Sequence, residues 1–137
     1  MFFTADDDTF DSMAAAQNGH VEVIRALVEA GAEADAEDRD GDRAAHHAAF
    51  GDEPAALRAL ATAGADLNAR NRRRQTPLHI AVNKGHLGVV RTLLQLAVHP
   101  SLQVGYSFLA RERRRNTTVV SFTKIIRLLS EFGIDVT

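Results

Sequence analysis

The sequence predicts an all-α solenoid, in which three recognisable helix-turn-helix units and a degenerate carboxy-terminal unit stack side by side. One observation is that a leucine and two pairs of small residues recur at a period of about 33 residues, so that each occupies an equivalent position, or column, in successive units. The leucines are Leu27, Leu60 and Leu93, and the pairs fall at 31–32, 64–65 and 97–98 and at 15–16, 48–49 and 81–82. A second observation is a Thr-Pro-Leu-His tetrapeptide at 76–79, followed by a Gly-His pair at 85–86 that suits the turn between two helices. Because each unit leaves an apolar face uncovered, such units become stable by stacking.

The first unit, at about residues 7–38, has lost the tetrapeptide. Phe10 to Met13 stand in its place, although Asn18-Gly19-His20 and the apolar pattern that follows agree with the third unit. We expect this unit to cap the amino-terminal end of the stack, because the terminal repeats of a solenoid are usually atypical.

The second unit, at about residues 39–71, keeps both helices in a modified form. Arg43 to His46 replace the tetrapeptide, and Pro54 begins the second helix at a position where its missing N–H is not needed. The small alanines at positions 48 and 49 let the helices of adjacent units approach closely. We therefore predict two helices here as well.

The third unit, at about residues 72–103, carries the clearest signals. Thr76 is an N-cap residue and Pro77 occupies the first helical position, which predicts a first helix over 77–83. Gly85 suits a left-handed turn before the second helix. Arg74 occupies the column of Gly41, where a positive φ is favoured, so we expect a strain of about 1 kcal/mol or a different turn. The structural motif residues are Thr76, Pro77, Leu78, His79, Gly85 and His86.

The pattern fails after residue 103. Residues 104–121 hold a basic run, Arg111 to Arg115, and a β-branched run that disfavours a helix, so we predict an irregular basic segment. Residues 122–137 again look like a second helix, but this helix comes later than the repeat period would place it, which predicts a partial fourth repeat. Our hypothesis for the break is a substituted or alternative segment, and sequencing the transcript would test it.

These sequence motifs resemble those of the ankyrin repeat, in which Thr-Pro-Leu-His starts the first helix and Gly-His precedes the second. Three stretches that depart from a generic repeat, Asp40 to Glu53, Ala65 to Gln75 and His99 to Gln103, resemble the ankyrin region of the mind bomb E3 ubiquitin ligases. The resemblance implies a scaffold that lies between ligand-recognition modules and RING fingers, in an enzyme that ubiquitinates Notch ligands. The chain would then be a fragment or short isoform that binds without itself transferring ubiquitin. An ankyrin adaptor unrelated to ubiquitin transfer is the alternative.

Composition narrows the function classes further. With 137 residues and 45% hydrophobic content, the chain fits one ordinary folded domain. It holds no cysteine, which excludes disulfides and thiolate-ligated zinc modules such as a RING from this chain. Its start lacks a basic region before an apolar stretch, and no apolar run approaches the roughly 18 residues of a membrane helix. We expect a cytoplasmic or nuclear protein without a membrane span.

Partner binding is expected at the hairpin tips and on the exposed side of the first helices, as the ankyrin resemblance implies. Phe50 stands out because an exposed aromatic side chain often anchors an interface. It fits equally well the alternative of filling space beside the next unit. We expect a monomer that binds a protein partner. The predicted partner-binding residues are Arg39, Asp40, Asp42, Phe50, Arg72, Arg73, Gln75, Asn83 and Lys84.

Charge is distributed unevenly along the chain. Residues 1–42 carry twelve acidic and two basic residues, whereas residues 43–137 carry six acidic and fourteen basic ones. We expect the hairpin tips to run from acidic at Asp6 and Asp7 to basic at Arg72, a gradient that would orient a charged peptide, unless the tips are simply solvated.

Two arginine clusters, at 70–74 and 111–115, allow a different interpretation. They permit binding of nucleic acid, anionic lipid or phosphopeptide. A nucleic-acid surface usually combines basic residues with aromatic stacking groups, and this chain has no Trp and one Tyr. Nucleic acid is therefore the weaker alternative.

No residue pattern indicates an enzyme or a metal site. His79 belongs to the tetrapeptide, and His20 and His86 belong to the Gly-His turns, so we interpret all three as structural. His46 and His47 are consecutive, point to different sides of a helix, and cannot form the i, i+4 pair of a zinc helix. We find no nucleophile beside a base and no phosphate-binding glycine loop. We therefore expect no catalytic residue, no metal and no cofactor.

Overall fold

The protein folds into successive short helices. The structure is a computed structural model that describes residues 5–96 and 127–131, with side chains described from residue 11 onward. Within these ranges no residue belongs to a strand, and residues 127–131 are helical. The longer helices are α1 (Ala5–Gln17), α2 (Val21–Glu29), α3 (Ala44–Phe50), α4 (Pro54–Thr62), α5 (Pro77–Lys84) and α6 (Leu87–Leu96). The predicted all-α class is confirmed.

The helices form two layers. Helices α1, α3 and α5 pack side by side as an inner layer, and α2, α4 and α6 pack side by side as an outer layer. Each inner helix also packs against the outer helix that follows it in the chain. This arrangement is the stack of helix-turn-helix units that the repeat period predicts, with each unit covering the apolar face of its neighbour.

The core lies between the two layers, and its side chains differ in size between them. The inner helices contribute mostly small buried residues such as Ala48, Ala49 and Ala81, which allow close approach of neighbouring backbones. The outer helices contribute mostly larger ones, among them the fully buried Leu57 and Leu93. Each buried leucine stabilises the fold by roughly 1.5–3 kcal/mol relative to an exposed one.

Gly51 reflects how closely α3 approaches α1. A Cβ atom at this position would overlap the backbone oxygen of Gln17. The φ of Gly51 is −85°, which any residue adopts, so the space between the helices requires glycine here and the backbone conformation does not.

Helix α5 begins with a reciprocal cap. The Oγ1 of Thr76 accepts a hydrogen bond from the backbone N–H of His79, and the Nδ1 of His79 accepts one from the backbone N–H of Thr76 at 3.1 Å. Pro77 follows at the first helical position. The helix runs to Lys84, one residue beyond the predicted end, and Gly85 closes it in the left-handed region with φ 74°.

Two non-glycine residues occupy left-handed positions that glycine holds in other repeats. Asp52, with φ 59°, lies in the column of Gly85, one repeat earlier. Arg74, with φ 63°, lies in the column of Gly41, which has φ 74°. Aspartate tolerates this region better than arginine does, so the strain is concentrated at Arg74.

The structure corrects one expectation at the amino terminus. Asp6 and Asp7 belong to α1 and not to a hairpin tip, so the predicted acidic end of the tip row is wrong. The first helix of this repeat is 13 residues long.

The predicted irregular segment, residues 104–121, lies outside the described residues. Of the predicted partial fourth repeat, only residues 127–131 are described. Leu129 in this helical stretch is fully buried and belongs to the same core cluster as α6. The repeat boundaries remain predictions.

Candidate protein-interaction groove

A groove of about 250 Å³ lies between the second and third repeats. Its lining comes from two hairpin loops, which we name loop A (residues 38–42) and loop B (residues 71–75), and from the inner helices α3 and α5. Seven of the nine residues predicted to bind a partner line it. They are Asp40, Asp42, Phe50, Arg73, Gln75, Asn83 and Lys84.

The groove differs from the sequence prediction at four positions. Arg39 and Arg72 are exposed at the loop tips but do not line it, while the residue after each of them does. Asn71 and Ile80 line it and were missed. For Asn71 a signal was present in the sequence, because Asp38 occupies the same column in the preceding repeat.

Loops A and B are built by the same local hydrogen bonds. The Oδ1 of Asp38 accepts the backbone N–H groups of Asp40 and Asp42, both at 2.9 Å. The Oδ1 of Asn71 accepts the N–H groups two and four residues later in the same way, also at 2.9 Å. Short polar side chains that bond to the backbone in this manner favour tight turns over helix.

The two loops are also joined to each other. The Nδ2 of Asn71 donates to the Oδ1 of Asp42 at 2.8 Å, and the backbone N–H of Arg72 donates to the backbone oxygen of Asp40 at 3.0 Å. Asn71 is buried, so its bond to Asp42 does not compete freely with water. These links hold the hairpin side of the groove at a defined width.

Phe50 and Lys84 form the opposite end of the groove. Each is the last residue of its inner helix, and the Nζ of Lys84 lies 4.5 Å from the centroid of the Phe50 ring. That distance is within the range of a cation–π interaction. The side chain of Phe50 is nevertheless 49% exposed, which leaves much of the ring open to the groove.

Charged side chains of both signs line this groove without neutralising each other. Among the described residues, neither Arg73 nor Lys84 forms an ion pair with a carboxylate. Asp40 and Asp42 lie on the hairpin side, where one oxygen of Asp42 is already bonded to Asn71. The groove therefore presents charges that a partner can pair with.

A second depression of about 240 Å³ continues from the groove toward α1. It shares Asp42, Phe50 and Ile80 with the groove and adds Gln17 and His47, together with the buried His46. The surface available to a partner therefore extends across three repeats.

His47 is hydrogen-bonded to Asp38 at the edge of this depression. The Nε2 of His47 lies 3.0 Å from Asp38 Oδ2 and its Nδ1 lies 3.2 Å from Gln17 Oε1. Burial alone would raise the pKa of Asp38, but the hydrogen bonds from His47 and from the backbone of Asp42 and Asp40 outweigh it and lower that pKa.

These side chains also bring potential metal ligands together. One ligand atom from each of Asp38, Asp42 and His47 lies within 4.8 Å of the others. The loop hydrogen bonds and the hydrogen bond from His47 already engage both oxygens of Asp38, and Asn71 engages one oxygen of Asp42. The hydrogen bonds of loop A therefore explain why these three side chains lie close together.

His46 has a structural position. The backbone N–H of Arg43 donates to its Nδ1 at 3.0 Å, which leaves Nε2 to donate to the backbone oxygen of Gln75 at 2.9 Å. Burial is the largest influence on this ring and lowers its pKa below 6.5. His46 therefore links the start of α3 to loop B as a neutral imidazole.

The arginines at 70–74 do not converge on one site. Arg70, Arg72, Arg73 and Arg74 are exposed, and only Arg73 lines the groove, beside two carboxylates. The second cluster, at 111–115, lies outside the described residues.

Comparison with known protein families identifies the repeats. A family model described as ankyrin repeats (3 copies) matches residues 12–104. The chain belongs to the ankyrin-repeat family. Ankyrin repeats are non-catalytic units that usually bind other proteins, and the groove lies within the matched range. None of the described helices of this ankyrin protein is long and apolar enough to cross a membrane.

Part of the chain is also similar to a ubiquitin ligase. Over 42 residues the chain is 62% identical to the E3 ubiquitin-protein ligase mind-bomb of Drosophila melanogaster. The match covers 31% of this chain and 3% of the ligase, so it relates the chain to a small part of a much longer protein. The resemblance to the mind bomb ankyrin region is confirmed on that stretch.

Proposed function

We propose that this ankyrin protein binds a protein partner in the groove between its second and third repeats. The observation that carries the proposal is the convergence of Phe50, Lys84 and the two linked loops on one groove. An exposed aromatic ring beside unpaired charges has the composition of an interface hot spot. The groove offers binding groups and no arrangement of a nucleophile with a base, which favours recognition over catalysis.

The more specific proposal is that the chain serves as the ankyrin scaffold of a mind bomb-type ubiquitin ligase acting on Notch ligands. The 62% identity to the Drosophila ligase over 42 residues supports it. An ankyrin adaptor outside ubiquitin transfer is the alternative, and both interpretations use the same groove.

Affinity capture from cell extract at moderate salt tests both proposals. The unaltered chain is compared with Phe50→Ala and with Val23→Ala, a matched control on the outer helix α2 whose side chain is 46% exposed. We expect Phe50→Ala to lose bound proteins that Val23→Ala retains. Ligase-pathway components among those proteins support the mind bomb interpretation, and other proteins support the adaptor.

Two outcomes would contradict the proposed site. If Phe50→Ala captures the same proteins in the same amounts, the groove is not where they bind. If the chain recovers only nucleic acid, and recovery falls steeply with salt, binding through the arginine clusters replaces protein binding.

A further inference from the structure

The Phe50–Lys84 pair points to the chemistry of the partner. The Lys84 ammonium lies over the ring without a carboxylate partner among the described residues, although it ends a helix at the surface. A carboxylate brought to this point would pair with Lys84. An apolar side chain next to that carboxylate would then contact Phe50 and the partly buried Ile80.

Two amide side chains of the groove are suited to a peptide backbone. Gln75 lines it in loop B and Asn83 lines it near the end of α5, whereas the amide of Asn71 is already bonded within and between the loops. A side-chain amide carries both donors and acceptors, as a peptide group does, so such residues can bond to the N–H and C=O groups of an extended segment. The side chain of Asn83 forms no hydrogen bond to another described residue, which leaves both of its polar atoms available.

The acidic side of the groove argues against a phosphate backbone. Asp40 and Asp42 line the same groove as Arg73 and Lys84, so a polyanion would meet repulsion as well as attraction. A peptide that carries a single acidic side chain can place it at Lys84 and keep it away from these carboxylates.

We infer that the groove binds an extended peptide segment in which an acidic side chain neighbours a large apolar one. The acidic group pairs with Lys84, the apolar group packs on Phe50 and Ile80, and the amides hold the backbone. This inference rests on the proposed function and adds the class of sequence that the groove selects.

A random peptide library displayed on phage and selected against the full chain provides the test. We expect enriched peptides to share an acidic residue close in sequence to a large apolar residue. In titrations of one synthetic peptide from this set, changing its acidic residue to the corresponding amide should weaken binding about fivefold. Phe50→Ala should weaken it about tenfold or more, and Val23→Ala should leave it unchanged.

The variant Lys84→Met separates the charge from the packing. Methionine keeps a long apolar stem in the helix but has no ammonium group. With this variant, the acidic peptide and its amide form should bind equally. Phe50→Leu, which keeps an apolar side chain without the ring face, should still discriminate between them. Thermal unfolding of each variant verifies that the fold is retained.

The possible failures are distinguishable. Enriched peptides that need Phe50 but show no preference for an acidic residue would overturn the inference and leave the proposed function standing. The same holds if Lys84→Met still binds the acidic peptide more tightly than its amide form. Peptides that bind equally to Phe50→Ala, or no enrichment at all, would overturn both.

Discussion

The Nε2 of His46 lies 2.9 Å from the backbone oxygen of Gln75, 29 positions later in the chain. The bond joins the start of α3 to loop B of the next repeat. Because the Nδ1 of the same ring accepts the Arg43 N–H, the imidazole must be neutral to make both contacts.

This arrangement predicts a loss of stability in mild acid. Burial lowers the pKa of His46, and burial together with Arg70 lowers that of His79. As the pH falls below 6.5, these histidines are protonated in the unfolded chain but remain neutral in the folded chain. The free energy of unfolding therefore decreases until the pH reaches the lowered pKa values of the folded chain. The slope is at most about 1.4 kcal/mol per pH unit for each histidine.

Urea unfolding at about pH 7.5 and about pH 5.5 measures this effect. The variant His46→Gln removes one of the two imidazoles and should show a smaller difference between the two pH values. An equal difference in the variant would mean that His46 does not contribute to the pH dependence.

A second prediction concerns the strained backbone of loop B. Arg74→Gly should raise the free energy of unfolding by about 0.5–1 kcal/mol, because relief of the left-handed strain exceeds the added flexibility of glycine in the unfolded chain. Arg73→Gly is the matched control, since it removes the same charge where φ is not positive, and it should not stabilise. Equal effects of the two changes, measured by chemical denaturation, would argue against strain at Arg74.

A third prediction concerns the contact between α3 and α1. Gly51→Ala should destabilise the fold by about 1–3 kcal/mol, because its Cβ would overlap the backbone oxygen of Gln17. Gly88→Ala in α6 should be neutral or stabilising by up to about 1 kcal/mol, because its Cβ would meet only Pro54 Cγ, at 3.7 Å. If both variants melt at the same temperature, the close approach at Gly51 does not limit stability.

A fourth prediction separates the two interpretations of Phe50. If the ring serves mainly as an interface residue, Phe50→Ala should lower the free energy of unfolding by less than about 1.5 kcal/mol, because half of the side chain is already exposed. Leu57→Ala, in the fully buried core, should lower it by about 2–5 kcal/mol. A loss at Phe50 as large as that at Leu57 would favour the packing role.

The sequence was informative where structure depends on local chemistry. The start of α5 follows from an oxygen at Thr76 and the fixed φ of Pro77, both of which act within one helical turn. The positive φ of Arg74 follows from its column, because repeats share their backbone even where side chains differ. Asp52 could have been recognised in the same way, from the glycines at positions 19 and 85.

The sequence was less informative where two repeats meet. Arg39 and Asp40 are adjacent residues of the same loop, yet only Asp40 lines the groove. Which of them does so depends on the packing of loop A against loop B, which no single repeat specifies. Ile80 was missed because an apolar residue on an amphipathic helix is usually assigned to the core, whereas here it is partly exposed between repeats.

Under the proposed function, the links from Asn71 to Asp42 and from Arg72 to Asp40 would affect how a partner is recognised. Because the hairpin side is already ordered before association, a partner meets a rigid template, and little conformational entropy is lost on the receptor side. Discrimination between candidate sequences then shows mainly in how slowly the correct complex dissociates, since mutants of one interface usually differ more in dissociation than in association rate.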